Sequence, residues 1–245
     1  MANPVLNNRF LENERVLDSA PMSINGAINK SLILFFCLLI PAVYMFSLVG
    51  AGFLDKAQSL TLGGAVVGFI LAIVTIFCRK PAWYKFLTPM YAVAEGFFVG
   101  GVSAFFETAM TGIVSQAIMG TFVCVLMMLG LYRAGIIRAT QKFRSTLILT
   151  TASIAVIYLI QIVASFFGRS IPEIFTASPV GIGFSAIVVV IASLNLILDF
   201  DFIEQGANAM LEKEYEWYGA FGLMITIVWL YLEILRLLAK LNSRR

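Results

Sequence analysis

The sequence predicts an all-α membrane protein in which seven transmembrane helices form one bundle. Hydrophobic residues make up 60% of the chain and charged residues 13%, and its mean hydropathy is strongly positive. A helix needs about 20 apolar residues to cross a bilayer, and runs of that length recur along the chain with short connections between them. This pattern excludes a soluble enzyme and leaves no room for a second soluble domain.

Seven apolar runs are each long enough to cross the hydrocarbon layer, and we predict a helix for each. The predicted spans are 31–53, 59–78, 86–106, 112–132, 145–167, 179–202 and 218–240. They define a transmembrane domain over residues 30–245. Residues 1–29 are polar and rich in asparagine, which is typical of a flexible cytoplasmic tail and not of a cleavable signal peptide.

Basic residues in the loops predict the orientation. With the N-terminus inside, eleven lysines and arginines face the cytoplasm and five face the other side. The positive-inside rule then favours a cytoplasmic N-terminus and an external C-terminus in the plasma (bacterial inner) membrane. The basic end of the chain, Lys240, Arg244 and Arg245, argues against this topology. A six-span alternative with one re-entrant segment would place that end in the cytoplasm, but we prefer seven spans.

Several catalytic chemistries are excluded by what the chain lacks. It has no histidine, which removes HExxH zinc sites and Ser–His dyads, and it has no GxSxG elbow and no P-loop. Cys37, Cys78 and Cys124 fall in separate apolar runs and form neither a disulfide framework nor a CxxC pair. The two intramembrane aspartates lie two residues apart, about 200° around one helix, so they cannot share a proton as an aspartyl protease requires. We expect no enzyme, no cofactor and no nucleic-acid binding.

Four carboxylates lie inside sequence that is apolar enough for the membrane: Glu95, Asp199, Asp201 and Glu233. An ionised carboxylate in hydrocarbon costs at least a few kcal/mol, so such residues usually face a bundle interior or a water-filled path. Burial disfavours the charged form of a carboxyl group, which allows a protein without histidine to sense pH. Carboxylate oxygens also suit calcium, so Asp199 and Asp201 are candidate calcium ligands. The expected partners are the lipid bilayer and calcium or other cations.

Asn195 lies one turn before Asp199 on the same predicted helix face, whereas Asp201 points elsewhere. The alternative is that the aspartates only end the sixth helix in the headgroup layer. Glu95 lies near mid-membrane and is followed by Gly96 and Gly100, a small-xxx-small pattern that lets a neighbouring helix approach closely. Its alternative is a neutral carboxyl group that is hydrogen-bonded across a helix contact.

On the seventh span Thr226 and Glu233 lie seven residues apart and share a face. Arg236 follows Glu233 by three residues, close enough for an ion pair. Glu233 is therefore either a functional carboxylate or one that Arg236 simply neutralises.

Three stretches carry a family resemblance. They are Ala94-Glu-Gly-Phe-Phe-Val-Gly-Gly, Leu196-Ile-Leu-Asp-Phe-Asp-Phe-Ile-Glu and Leu230-Tyr-Leu-Glu-Ile-Leu-Arg-Leu-Leu. With the seven-span layout over residues 30–240, they resemble the Bax-inhibitor family (transmembrane Bax-inhibitor-motif proteins), in a bacterial-looking branch. The resemblance implies a last helix wrapped by the other six. It also implies a pH-sensitive calcium leak, gated by a carboxylate pair between the last two helices.

The sequence leaves two candidates for each member of that pair. Asp199 and Asp201 both match the sixth-span aspartate. Its seventh-span partner is Glu233 if Leu230-Tyr-Leu-Glu is matched, and Thr226 if the following Ile-Leu-Arg is matched instead. Hairpin geometry favours Thr226, because a turn near residue 212 puts Asp199 level with about residue 225 and leaves Glu233 about 12 Å away. In that register the latch lacks its second carboxylate, and Asp201 or Glu95 is the substitute acid.

These features favour a pH-sensitive cation leak channel, with calcium as the expected ion and buried carboxylates as its gate. The alternative is a non-transporting protein that modulates membrane-protein quality control or a stress response. It would bind another membrane protein through the polar tail, with Asn7, Asn8, Arg9 and Glu12. A proton-coupled transporter is disfavoured, because the halves show no inverted repeat and no pair of broken helices.

Overall fold

The computed structural model describes residues 20–167 and 172–244, and it confirms the seven-helix prediction. Each long helix has the length and apolar composition to cross a membrane. The helices are α1 (Ile24–Gly50), α2 (Leu54–Phe77), α3 (Tyr84–Ala109), α4 (Ile113–Arg133), α5 (Gln141–Phe166), α6 (Pro179–Asn208) and α7 (Tyr215–Asn242). Single helical turns at Pro81–Trp83 and Pro172–Phe175 lie in the connections before α3 and α6.

Side-chain caps explain where several helices begin. Ser23, Thr140 and Ser178 each precede a helix, and each accepts a hydrogen bond from a backbone N–H three residues later. Such a bond satisfies one of the free donors of the first turn. The α3–α4 connection uses the Glu107 carboxylate instead, which accepts from the backbone of Gly112 at 2.6 Å and of Val114 at 3.1 Å.

The predicted tail extends too far along the chain. Residues 24–29 are the first turns of α1, so the boundary at residue 29 is wrong. Ser23 is held by α7, because its N–H and its hydroxyl both donate to the buried Glu216 carboxylate, at 3.1 and 3.0 Å. Residues 1–19, which include the proposed handle at Asn7, Asn8, Arg9 and Glu12, lie outside the described residues.

The predicted central position of the last helix is confirmed. α7 packs against α1, α3, α4 and α6, and its Glu233 is hydrogen-bonded to Tyr158 of α5. Phe221, Leu230 and Leu235 of α7 are almost fully buried in the main core. The expectation that all six other helices wrap α7 is not met by α2, which packs chiefly against α3 at the periphery.

Glycines allow the close helix contacts on which this arrangement depends. A Cβ on Gly96 would collide with the backbone oxygen of Leu38, and one on Gly100 would collide with the backbone of Ala42. The small-xxx-small pattern of α3 therefore brings it against α1.

The helices alternate in direction, so the connections between them lie at two opposite ends of the bundle. We call the end with residues 20–23, 134–140 and 209–214 the N-terminal face and the other the C-terminal face.

Candidate functional site

Asp199 lies within α6 and faces α7. Its Oδ1 atom is 3.4 Å from the position that a Cβ would occupy on Gly222, and Thr226 is its hydrogen-bonding neighbour. Its Oδ2 atom is buried and has no hydrogen-bond partner within the described residues. The site is thus a sheltered carboxyl group whose neighbours on α7 are a glycine and a hydroxyl.

The local sequence explains this geometry. Gly222 and Thr226 are four residues apart and share one face of α7, and the missing side chain at Gly222 leaves room for the carboxyl group. α6 continues to Asn208, so Asp199 lies nine residues, about 14 Å, before the helix end. Asp199 is therefore not a helix terminator, although the sequence alone left that reading open.

Asp201 occupies a different environment on the same helix. Its Oδ2 accepts from Nη2 of Arg144, at the start of α5, at 2.5 Å and from Nε2 of Gln205 at 2.8 Å. The Asp201 side chain is 13% exposed and that of Arg144 is 38% exposed. Beside it, the Tyr132 hydroxyl donates to Glu204. Asp199 and Asp201 thus point in different directions and do not present their oxygens to one shared calcium site.

Asn195 does not join Asp199 in a polar stripe. Its Nδ2 donates to Oγ1 of Thr151 on α5 at 3.0 Å and to the backbone oxygen of Ile191 at 2.9 Å. The amide is therefore used for an α5–α6 contact.

Glu233 is the most completely partnered of the four intramembrane carboxylates. It is 1% exposed. Its Oε1 accepts from the Tyr158 hydroxyl at 2.8 Å, from Nη1 of Arg236 at 2.8 Å and from Nε1 of Trp229 at 3.3 Å. The expected ion pair with Arg236 is present, and Nη1 of Arg236 also donates to the Tyr158 hydroxyl at 2.8 Å. The charge of Glu233 is therefore compensated, although its Oε2 is buried and has no partner among the described residues.

Glu95 belongs to a third environment, between α2 and α3. Tyr91, one turn earlier, is its hydrogen-bonding neighbour. Its Oε2 atom is 3.1 Å from the position of a Cβ on Gly68 of α2. The missing side chain at Gly68 thus makes room for the carboxyl group. The structure brings Asp199 together with Thr226 and places Glu95, Asp201 and Glu233 in separate surroundings.

The comparison with known families decides what kind of protein this architecture represents. The family model described as Bax inhibitor 1 like matches residues 3–243, nearly the whole chain. The chain belongs to the Bax inhibitor 1-like family. No curated protein matches the sequence at a significant level.

This Bax inhibitor 1-like chain contains a buried lysine that the sequence analysis counted among the loop charges. Lys240 lies in the last turn of α7 and is only 6% exposed. Its Nζ donates to the backbone oxygens of Ile174 and Gly181, at 2.9 and 3.0 Å, and to the Ser185 hydroxyl at 2.8 Å. The signal available in the sequence was its spacing, because it follows Arg236 by one turn and Glu233 by two.

Acidic residues in the described part of this Bax inhibitor 1-like chain do not form a metal cluster. Within residues 20–167 and 172–244, no group of three aspartate, glutamate or cysteine side chains could hold a metal ion. Single carboxylates at helix contacts are the chemical groups that the interior offers to a cation or a proton.

Proposed function

We propose that this protein is a pH-sensitive cation leak of the membrane, with calcium as the expected permeant ion and Asp199 as the controlling group. The observation that carries the proposal is the buried Oδ2 of Asp199 at the α6–α7 contact, which has neither a hydrogen-bond partner nor an ion pair among the described residues. A buried carboxylate without a counter-charge is costly, so a group in this position binds a proton or a cation. Membership in the Bax inhibitor 1-like family supports the same activity.

The proposed gate uses the neutral neighbours of Asp199. With a proton bound, the carboxyl group can stay packed between Gly222 and Thr226, and α6 and α7 remain together. Once the proton leaves, no basic side chain in the described part of the chain is paired with Asp199 to compensate its charge, so hydration or a cation becomes favourable. Separation of α6 and α7 would admit water and a cation to the carboxylate, and calcium accepts carboxylate oxygens readily. Flux is therefore low at acidic pH and rises as the pH increases.

In the proposed orientation the protein lies in the plasma membrane with its N-terminus in the cytoplasm. Lys240 is buried and hydrogen-bonded, so it is not one of the free loop charges that the positive-inside rule counts. This weakens the main objection to an external C-terminus. Asp199, nearer the N-terminal face, would then respond to cytoplasmic pH.

Calcium flux through purified protein in liposomes, measured across a pH series, tests the proposal. We expect Asp199→Asn to flatten the pH response, and Asp199→Asn/Asp201→Asn to do so as well. Asp55→Asn is the matched control, because Asp55 is an exposed aspartate in the first turn of α2. If both Asp199 variants keep the wild-type flux and pH response, the proposal is wrong.

A further inference from the structure

A large cavity lies between α1 and α4 along the flank of α7. Its volume is about 1360 Å³, above the roughly 300–1,000 Å³ of ordinary small-molecule sites. Its lining runs from Ile24 to Phe46 on α1, which corresponds to about 33 Å of helix, the thickness of a hydrocarbon layer. The cavity is therefore a lengthwise groove of membrane dimensions.

The walls of this groove are apolar. α1 contributes Leu32 and Phe35, and α4 contributes Ile118 and Phe122, all of which are exposed in the isolated chain. The inner wall is formed by α7 residues that include Ile227 and Val228. Such walls offer water few hydrogen-bonding partners, so hydrocarbon is the filling that they favour.

One end of the groove is charged, and that end lies at the N-terminal face. Its four charged lining residues are Arg133, Arg138, Asp201 and Glu204. Asp201 is already paired with Arg144, which lies outside the lining. Within the part of the chain that the structure describes, neither Arg133 nor Arg138 has an ion pair. With Arg144 included, the mouth carries three guanidinium groups against two carboxylates.

We propose that this groove binds an anionic phospholipid from the leaflet at the N-terminal face. The phosphate lies against Arg133 and Arg138, and the acyl chains lie between α1 and α4 along α7. Two features carry the assignment: apolar walls over the depth of the bilayer, and unpaired basic groups at one mouth. Basic pockets between transmembrane helices are established sites for anionic headgroups. A bound lipid would also cover the side of the central helix that α1 and α4 leave open.

Electron paramagnetic resonance of spin-labelled lipids tests the proposal on the full chain in phosphatidylcholine vesicles. The probes are spin-labelled phosphatidylglycerol and spin-labelled phosphatidylcholine, and the measurement is the fraction of each that the protein immobilises. We expect wild-type protein to prefer phosphatidylglycerol. Arg133→Gln/Arg138→Gln should lower that preference by about fivefold for each charge removed, because each arginine would lie against the bound headgroup, where a basic residue contributes about that factor.

The matched control is Arg79→Gln/Lys80→Gln. This variant removes two exposed charges from the same face, outside the cavity lining, and it should leave the preference unchanged. If the two double variants behave alike, the preference comes from general surface charge and the proposed site is refuted.

A second pair of variants tests the apolar part of the site. Val125→Trp fills the groove from α4 and should reduce the number of immobilised chains of both lipids. Met127→Trp places the same ring two residues away on an exposed position outside the lining, and it should have no effect. If phosphatidylglycerol binding survives Val125→Trp, the arginines hold only a headgroup or a free phosphate, and the lipid assignment is wrong.

Discussion

Glu233 and Asp199 are both carboxylates at contacts of α7, but their neighbouring side chains differ. Glu233 accepts hydrogen bonds from a tyrosine, a tryptophan and an arginine. Asp199 has a threonine and a glycine beside it, and among the described residues it has no ion pair. Depth in the membrane does not explain this difference, because both residues lie well inside apolar helices. What differs is the set of side chains that the neighbouring helices present.

The comparison separates a structural role from a switching role. A carboxylate with a resident cation is already compensated, so it has little reason to exchange protons or ions. One with only neutral neighbours depends on a proton or a mobile cation for compensation. We therefore expect changes in the Glu233 cluster to act mainly on stability, and changes at Asp199 to act on the proposed gate.

The largest effect on stability should come from Arg236→Met. This change leaves the buried Glu233 without its cation, and breaking such a pair costs several kcal/mol. The cost is smaller here, because the Arg236 side chain is 39% exposed. We expect the melting temperature of the purified protein in detergent to fall by roughly 5–10 °C. Lys56→Met, which removes an exposed lysine, is the control. Equal losses in Arg236→Met and Asp199→Asn would erase the distinction between the two sites.

The next effect concerns the pH response. Thr226→Asp places a second carboxyl group beside Asp199, and two carboxyl groups that share a site resist losing both protons. The closed form should persist to higher pH, and the midpoint of calcium flux should move up by roughly one pH unit. Thr226→Asn, which is polar but cannot ionise, should leave the midpoint in place. A midpoint that moves equally in both variants would contradict a direct contact between the two carboxyl groups.

Tyr158→Phe should have a moderate effect on stability. It removes one donor to Glu233 and one acceptor for Arg236, while the direct ion pair remains. A hydrogen bond of this kind contributes about 1 kcal/mol, so we expect the melting temperature to fall by about 2–4 °C. Tyr44→Phe, at an exposed position on α1, controls for loss of a hydroxyl. An unchanged melting temperature in Tyr158→Phe would show that the tyrosine adds nothing to the cluster.

The smallest effect should come from Asp201→Asn. Its partner Arg144 is 38% exposed, and ion pairs open to solvent contribute about 0–1 kcal/mol and weaken with salt. The melting temperature should change by less than about 2 °C, and the difference from wild type should shrink in high salt. A loss as large as that of Arg236→Met, insensitive to salt, would place Asp201 with the buried carboxylates.

Much of the fold follows from local sequence. All seven helices were predicted, because each crossing of the hydrocarbon requires its own uninterrupted apolar run. Boundaries were less accurate. α1 begins at Ile24, not at residue 31, and α6 ends at Asn208, not at residue 202, because helices continue into polar sequence until capping or a turn ends them.

The partners of the acidic residues were much harder to predict. Arg144 was counted only as a loop charge, although it pairs with Asp201. Lys240, at the end of the predicted seventh span, was counted only as an external charge, although it is buried. The Glu216–Ser23 contact joins residues 193 positions apart, and no periodicity within one helix indicates such a contact.

The sequence by itself determined the number of spans, the class of protein and the positions at which carboxyl groups enter the membrane. These follow from rules that act along one segment, because lipid cannot satisfy backbone polar groups or stabilise charge. Hairpin geometry already favoured Thr226 over Glu233 as the neighbour of Asp199, and in the structure Thr226 lies beside it. Tertiary structure alone decided that Glu233 meets Tyr158 and that Glu95 faces Gly68. The physical reason is that the rotation of each helix about its axis is set by how its neighbours pack against it.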